Sequence, residues 1–168
     1  RVWFWYRHYP KIHEVASYWS SLADSSTDLR KTAMRVLFWF ETIEKTQATE
    51  ITEMQKSAVE RITQSRVRLL LTKPFFGQLA TRLRIEDASD YIPTAATDGK
   101  RFYYNARFIM MLRKKEVEFL VGHEVLHVVY DHMDRRGDRD PQLWNIADDY
   151  CVNADLKRHN VGEFITTV

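Results

Sequence analysis

The sequence predicts an α+β fold that is mainly helical, with a small mixed sheet or hairpin packed on a central helix. Apolar residues recur at spacings of three and four along much of the chain, which is the pattern of amphipathic helices. The dipeptide Asp98-Gly99 separates two short extended runs, which is typical of a β-hairpin. Of the 168 residues, 45% are hydrophobic and 29% are charged, so the chain can bury the core of one domain.

Two helices are predicted in the first half of the chain. Residues 24–29 have the composition of a loop that ends in a helix N-cap, and a helix follows to about residue 47. A second helix begins near Thr52 and ends before Lys73-Pro74. We expect residues 1–50 to form an N-terminal helical extension and residues 51–168 to form the main domain. The apolar stripe of the second helix consists of Met54, Ala58, Ile62, Ser65 and Leu69, with Arg61, Arg66 and Arg68 mostly outside it.

The second half of the chain alternates short extended runs with helices. The extended runs lie around residues 83–85, at residues 91–96 and in the segment RFYY, and a short helix follows Asn105. A longer helix is predicted from about Lys115 to His132, and its valines and leucines cover so much of its circumference that we expect it to be buried. After the charged turn at residues 134–141, a last helix continues to about Lys157.

The run HEVLH lies inside the predicted buried helix and has the residues of a zinc site. His123 and His127 are four residues apart, so on a helix they project from one face and can share a tetrahedral ion. Glu124 lies about 100° around the helix, which suits a general base for a water molecule better than a ligand. The single cysteine, Cys151, excludes cysteine-rich zinc sites, so a metal would rest on histidine and carboxylate ligands. The pattern is typical of zinc peptidases of the zincin type, with one Zn²⁺ ion.

A catalytic zinc ion needs a third protein ligand, which the last helix can supply. Met133 stands where metzincins have a third histidine, so the ligand must come from elsewhere. Asp148 and Asp149 lie in the last helix, which an antiparallel return would bring against HEVLH. We prefer Asp149 as the ligand, with Asn153 on the same face as a residue that orients the site.

Two further residues stay open as supporting residues or alternative ligands. Asp148 shares a helical face with Val152 and Asp155, and its carboxylate is a ligand type that zinc accepts. His132 stands about 140° from His127 on a continuous helix, so we expect it to support the site rather than bind the ion.

Four stretches of the chain resemble a metallopeptidase domain that occurs N-terminal to von Willebrand factor A-like domains in bacterial and phage proteins. They are RLLLTKPFFGQLA, PTAATDGKRFYYNARF, EVEFLVGHEVLHVVYDHMDRRGDRDP and LWNIADDYCVNADL, and they lie between residues 66 and 157. The resemblance implies a zincin-like fold in which His123, His127 and Asp149 bind zinc and Glu124 is catalytic. Asp148 stands where the family usually has a small residue, which keeps the choice between the two aspartates open.

The resemblance implies a zinc-dependent endopeptidase that acts on a protein or peptide substrate. In zincins the strand beside the active-site helix offers its edge to an extended peptide, and RFYYN is the candidate strand here. Tyr103 or Tyr104 would then touch the substrate or, alternatively, pack on the sheet. Two other functions stay open: a regulatory module that keeps a metal without catalysis, and an SprT-like protease that acts on nucleic-acid-bound proteins. The basic first half of the chain motivates the latter.

Expectations about partners and location follow from composition and from the resemblance. No run of about 18 apolar residues is present, so we expect no membrane association and a cytoplasmic protein. The resemblance implies that the cell is bacterial or a phage-infected host. The opening segment RVWFWYRHYP mixes aromatic and basic residues, which is more typical of packing or docking than of nucleic-acid binding. The resemblance also implies a partner protein or a C-terminal von Willebrand factor A-like domain.

Overall fold

A computed structural model describes residues 27–166 and, within them, the side chains of Arg35, Phe38, Trp39 and residues 41–166. The chain divides into two units, Arg1–Thr52 and Glu53–Val168. The aromatic opening segment and the first three residues of the predicted loop at 24–29 lie outside the described residues. From Thr27 onward the chain is already helical, so the remainder of that loop prediction is wrong.

The described residues form a mainly helical α+β fold with a small mixed sheet, which confirms the predicted class. In chain order the elements are α1 (Thr27–Thr72), α2 (Pro74–Arg82), β1 (Arg84–Asp87), β2 (Ala95–Thr97), β3 (Arg101–Tyr104), α3 (Ala106–Met111), α4 (Lys114–Val129), α5 (His132–Arg135) and α6 (Pro141–Arg158).

Helix α1 is one continuous helix, so the prediction of two helices with a break between residues 47 and 52 is wrong. Neither glycine nor proline occurs in that interval. The hydroxyls of Thr46, Thr49 and Thr52 each donate to the carbonyl four residues earlier. Threonine often competes with the helix for backbone hydrogen bonds, but here these side chains bond along the helix and leave the backbone ladder intact.

The predicted apolar stripe of α1 is confirmed for its second half. Ala58, Ile62, Ser65 and Leu69 are buried, and Met54 packs partly buried against the same core. The prediction for Arg66 is wrong, because its side chain is also buried. Its guanidinium lies 5.8 Å from the centre of the Phe102 ring, and burial lowers the pKa of Arg66 to about 10.

The sheet has the order β1-β3-β2, with β1 parallel and β2 antiparallel to β3. The Asp98-Gly99 hairpin between β2 and β3 is confirmed: Gly99 has a φ of 85°, and the Asp98 carboxylate accepts hydrogen bonds from the amides of Lys100 and Arg101. Of the extended run predicted at residues 91–96, only Ala95 and Ala96 belong to a strand. Strand β2 lies at the edge of this sheet and packs against α4.

Strand β3 is the central strand, so the prediction that RFYYN offers a free edge to a substrate is wrong. Both of its edges are already paired. The Tyr103 hydroxyl donates to Asp98 at 3.0 Å and accepts from Arg101, and the Tyr104 side chain is buried. Burial beside Asp87 raises the pKa of Tyr104 to about 12. These tyrosines therefore pack on the sheet, as the alternative interpretation proposed.

Helix α4 is central and buried, as predicted, and contacts α2, β2 and α6. Gly122 lies where α4 approaches α6, since a Cβ atom there would come within 2.9 Å of side-chain atoms of Leu156 and Val161. The absence of a side chain at this position lets the two helices approach closely.

Apolar as α4 is, none of the helices in the described part of the chain has both the length and the apolarity that crossing a bilayer requires.

Helix α4 ends at Val129, so the prediction of a continuous helix to His132 is wrong. Asp131 adopts the left-handed conformation, with φ 55° and ψ 42°, and α5 begins at the next residue. Aspartate is one of the few non-glycine residues that visit this region readily. The break changes the direction of the chain, so helical angles measured from His127 no longer locate His132.

Introducing a leucine at Gly122 tests the close approach of α4 and α6. We expect Gly122→Leu to lower the free energy of unfolding by about 1–3 kcal/mol, because the new side chain overfills the interface despite its better helix propensity. Urea denaturation of the metal-free protein measures the change. Ala154→Leu, at an exposed position of α6, is the matched control and should leave the stability nearly unchanged. Equal stability of the two variants would contradict the packing described here.

Candidate metal centre

Helices α4 and α6 present the predicted site residues to each other. The α6 N-terminus is set by Asp140, whose carboxylate accepts from the Leu143 amide at 2.8 Å, and by Pro141 at the first helical position. The two helices run in opposite directions, as predicted: Gly122 approaches Leu156, whereas His127, further along α4, approaches Asp149, which is earlier in α6.

Three side-chain atoms converge at the centre of this interface. The Nε2 atoms of His123 and His127 lie 2.9 Å apart, and Asp149 Oδ1 lies 3.1 Å from the first and 3.2 Å from the second. Tetrahedral zinc with ligands at about 2.0–2.1 Å separates neighbouring ligand atoms by about 3.3 Å. The triangle therefore has nearly the size that a single tetrahedral ion requires, and its two nitrogens and one carboxylate oxygen are donors that zinc accepts.

The second ring nitrogen of each histidine also has a partner. His123 Nδ1 lies 3.0 Å from Asn153 Oδ1, and His127 Nδ1 lies 2.9 Å from His132 Nδ1. His132 Nε2 lies 3.4 Å from the carboxylate of Asp148. Partners of this kind fix the orientation of a histidine ring and determine which of its nitrogens carries the proton.

The structure brings the predicted site residues into two groups that share His127. Among the described residues, His123, His127 and Asp149 form one set able to hold a metal ion, and His127, His132 and Asp148 form a second. Asp148 thus does not join the first group, although it neighbours Asp149 in the sequence. Successive residues of a helix point about 100° apart, which directs the two carboxylates to different partners.

Asn145 was not anticipated from the sequence. Its amide donates to Asp149 Oδ2 at 3.3 Å, so both carboxylate oxygens of Asp149 are engaged. The signal was present, because Asn145, Asp149 and Asn153 are spaced by four and share one face of α6. Trp144 was also missed; its indole donates to the carbonyl oxygen of His132 at 2.9 Å and thereby ties α5 to α6.

The carboxyl groups of the centre differ in their electrostatics. Burial is the strongest influence on Glu124 and raises the pKa of its carboxyl group, against the opposing effect of the two histidines. Burial also acts to raise the pKa of Asp149, but hydrogen bonds with His123 and His127 outweigh it and hold that pKa well below its usual value. For His123, burial acts to lower the pKa, but Asp149, Glu124 and Asn153 together raise it.

A cleft of about 660 Å³ opens over these residues. Strand β2 lines one side through residues 95–97, α4 contributes His123, Glu124 and His127, and α6 contributes Asp148 and Asp149. Glu124 is buried and lines the same cleft as the donor triangle. The arrangement can hold a cation and, next to it, a group that accepts a proton.

Comparison with known proteins supports a metal-dependent chemistry. No curated protein and no solved structure matches the chain. A family described as "Putative metallopeptidase domain" matches residues 57–166, which include all of the donors above and more than half of the chain. The chain therefore belongs to this metallopeptidase domain family.

Proposed function

We propose that this protein is a zinc-dependent peptidase with a zincin-like active site on α4. The observation that carries the proposal is the triangle of His123 Nε2, His127 Nε2 and Asp149 Oδ1, whose sides measure 2.9 to 3.2 Å. These three residues would hold the ion, and a set of three protein ligands is typical of catalytic rather than structural zinc sites. Bound there, zinc would supply Lewis acidity, which polarises a peptide carbonyl and makes water more acidic.

Glu124 is proposed as the general base. Its carboxylate is buried, lines the cleft and belongs to the same helix as both histidines. A carboxyl group whose pKa is raised is a better proton acceptor when ionised, and it can return the proton to the leaving amine. This assignment gives Glu124 a chemical reason to occupy a buried position that is otherwise unfavourable for a charge.

Strand β2 is proposed as the edge on which the substrate lies. It is an edge strand of the sheet and packs against α4, and Ala95, Ala96 and Thr97 line the same cleft as the donor triangle. An extended peptide can pair with such an edge through main-chain hydrogen bonds. The small side chains of Ala95 and Ala96 leave room for it. The substrate is then an unfolded or extended segment, because a helix cannot pair in this way.

Metal analysis of variants tests the ligand set. We expect His123→Ala and Asp149→Ala to weaken zinc binding by more than about 100-fold, because loss of a direct ligand exceeds the 10- to 100-fold effect of its supporting partners. Zinc content and affinity are measured on the purified chain. The exposed-site variant His159→Ala is the matched control and should keep one zinc ion at unchanged affinity, whereas Asp148→Ala should keep one ion because Asp148 is proposed to act only through His132. Unchanged zinc in the Asp149 variant, with loss in the Asp148 variant, would reverse the assignment.

Substitution of Glu124 separates catalysis from metal binding. We expect Glu124→Gln to keep its zinc and to lower cleavage of an unfolded protein substrate by about 10²- to 10⁴-fold, which is the contribution of a general base. The cleavage rate is measured by mass spectrometry of the products, and the zinc content of the same samples is measured in parallel. Wild-type protein that binds zinc but cleaves no substrate would favour the alternative of a regulatory metal-binding module.

His132 and Asp148 are proposed to orient His127. If His127 binds the ion through Nε2, its Nδ1 carries the proton and donates to His132 Nδ1, 2.9 Å away. His132 then carries its own proton on Nε2, which faces the Asp148 carboxylate at 3.4 Å. Each contact from the Asp148 carboxylate to the His127 ring then has one donor and one acceptor. In the same manner, Asn153 Oδ1 accepts a hydrogen bond from His123 Nδ1.

Variants of His132 test this orienting role. We expect His132→Ala to weaken zinc binding by about 10- to 100-fold without changing the stoichiometry of one ion, and His132→Gln, which keeps an acceptor, to lose less. Nitrogen NMR of the zinc-loaded protein should place the His127 proton on Nδ1. A wild-type stoichiometry of two ions that falls to one in His132→Ala would show instead that His132 is a ligand.

A further inference from the structure

One end of the cleft is apolar and is built partly by the segment that follows α6. Phe119 and Leu120 of α4 line this end, together with Phe164 and Ile165 from that segment. Arg136 and Asn145 also line the cleft and lie just before or at the start of α6, which faces the C-terminal part of α4, so the opposite end is mixed. The cleft therefore differs in chemical character on the two sides of the donor triangle.

Phe164 is exposed to the cleft but held in place. Its ring packs edge-on against Phe119, with 5.5 Å between ring centres, and the Lys157 ammonium lies 4.2 Å from the centre of the Phe164 ring. The side chain nevertheless keeps 43% of its surface accessible. A large aromatic surface that is both fixed and accessible can bind an apolar group with little loss of conformational entropy.

The backbone of the same segment is fixed against α4. The Glu163 amide donates to the Lys115 carbonyl at 3.0 Å, and the Thr166 amide donates to the buried Glu116 carboxylate at 3.3 Å. Gly162 has a φ of 63°, and a Cβ atom there would lie 2.4 Å from the Phe119 amide nitrogen. Only glycine permits this approach, so the position of Phe164 is determined by the fold rather than by its own side chain.

The apolar end lies within reach of a residue close to the scissile bond. Phe119 precedes His123 by four residues, which is slightly more than one helical turn or roughly 6 Å along α4. An extended peptide advances about 3.3 Å per residue. A side chain one or two positions from the carbonyl at the donor triangle would therefore meet the exposed ring of Phe164, which packs on the largely buried Phe119.

We propose that Phe119, Leu120, Phe164 and Ile165 form a subsite for a large apolar side chain. The substrates would then be extended segments that carry an aromatic or large aliphatic residue within two positions of the scissile bond. The subsite rests on the proposed peptidase function, because it places the substrate in the same cleft. Its selectivity applies to one side of the scissile bond only, since the other end of the cleft carries Arg136 and Asn145.

Two measurements on the zinc-loaded full chain test the subsite. Cleavage sites in a library of peptides of known sequence give the preference at each position, and calorimetry gives the affinity of peptide hydroxamates that carry phenylalanine, leucine or alanine next to the chelating group. We expect the wild type to favour phenylalanine and leucine over alanine by about tenfold or more, and Phe164→Ala to lose most of that preference. Phe75→Ala, an exposed phenylalanine on α2 away from the cleft, is the matched control and should keep it.

The two readouts distinguish failure of the subsite from failure of the proposed function. Equal affinity of the wild type for all three hydroxamates, or an unchanged preference in Phe164→Ala, would overturn the subsite. Hydroxamates that show the expected preference on a protein that cleaves no peptide would support the subsite and overturn the peptidase activity. A loss of preference in the Phe75 variant equal to that in the Phe164 variant would also overturn the assignment.

Discussion

The close approach of α4 and α6 is the constraint on which the candidate centre depends. Gly122 permits it, and the residue that follows is His123, so the packing contact and the first donor are adjacent in the chain. Two imidazole nitrogens and a carboxylate oxygen reach within 3.2 Å of one another only because these helices meet without an intervening side chain. Packing thus supplies the proximity, and the sequence of each helix supplies the donors.

The electrostatics of this interface favour a cation. Three carboxyl groups, those of Glu124, Asp148 and Asp149, line one cleft. Burying their charges together is unfavourable without a compensating positive charge. Hydrogen bonds with the histidines keep Asp149 ionised, whereas burial favours the protonated form of Glu124. Two carboxyl groups on neighbouring helices are thereby given opposite tendencies, which the roles proposed for them above require.

The peripheral elements shape access to the centre. The left-handed turn at Asp131 returns the chain so that His132 faces His127, and Trp144 ties that turn to α6. Strand β2 and the segment around Phe164 both line the cleft. Segments that are far apart in the chain therefore line the same cleft.

The sequence by itself determined the features that depend on local spacing. The separation of His123 and His127, the shared helical face of Asp149 and Asn153, and the Asp98-Gly99 hairpin all follow from helical or hairpin geometry within a few residues. Only the tertiary structure decided the burial of Arg66, the central place of β3, the direction of His132 after Asp131, and the place of Phe164 in the cleft. These depend on contacts between distant segments, whose energies exceed the local preferences from which the sequence is interpreted.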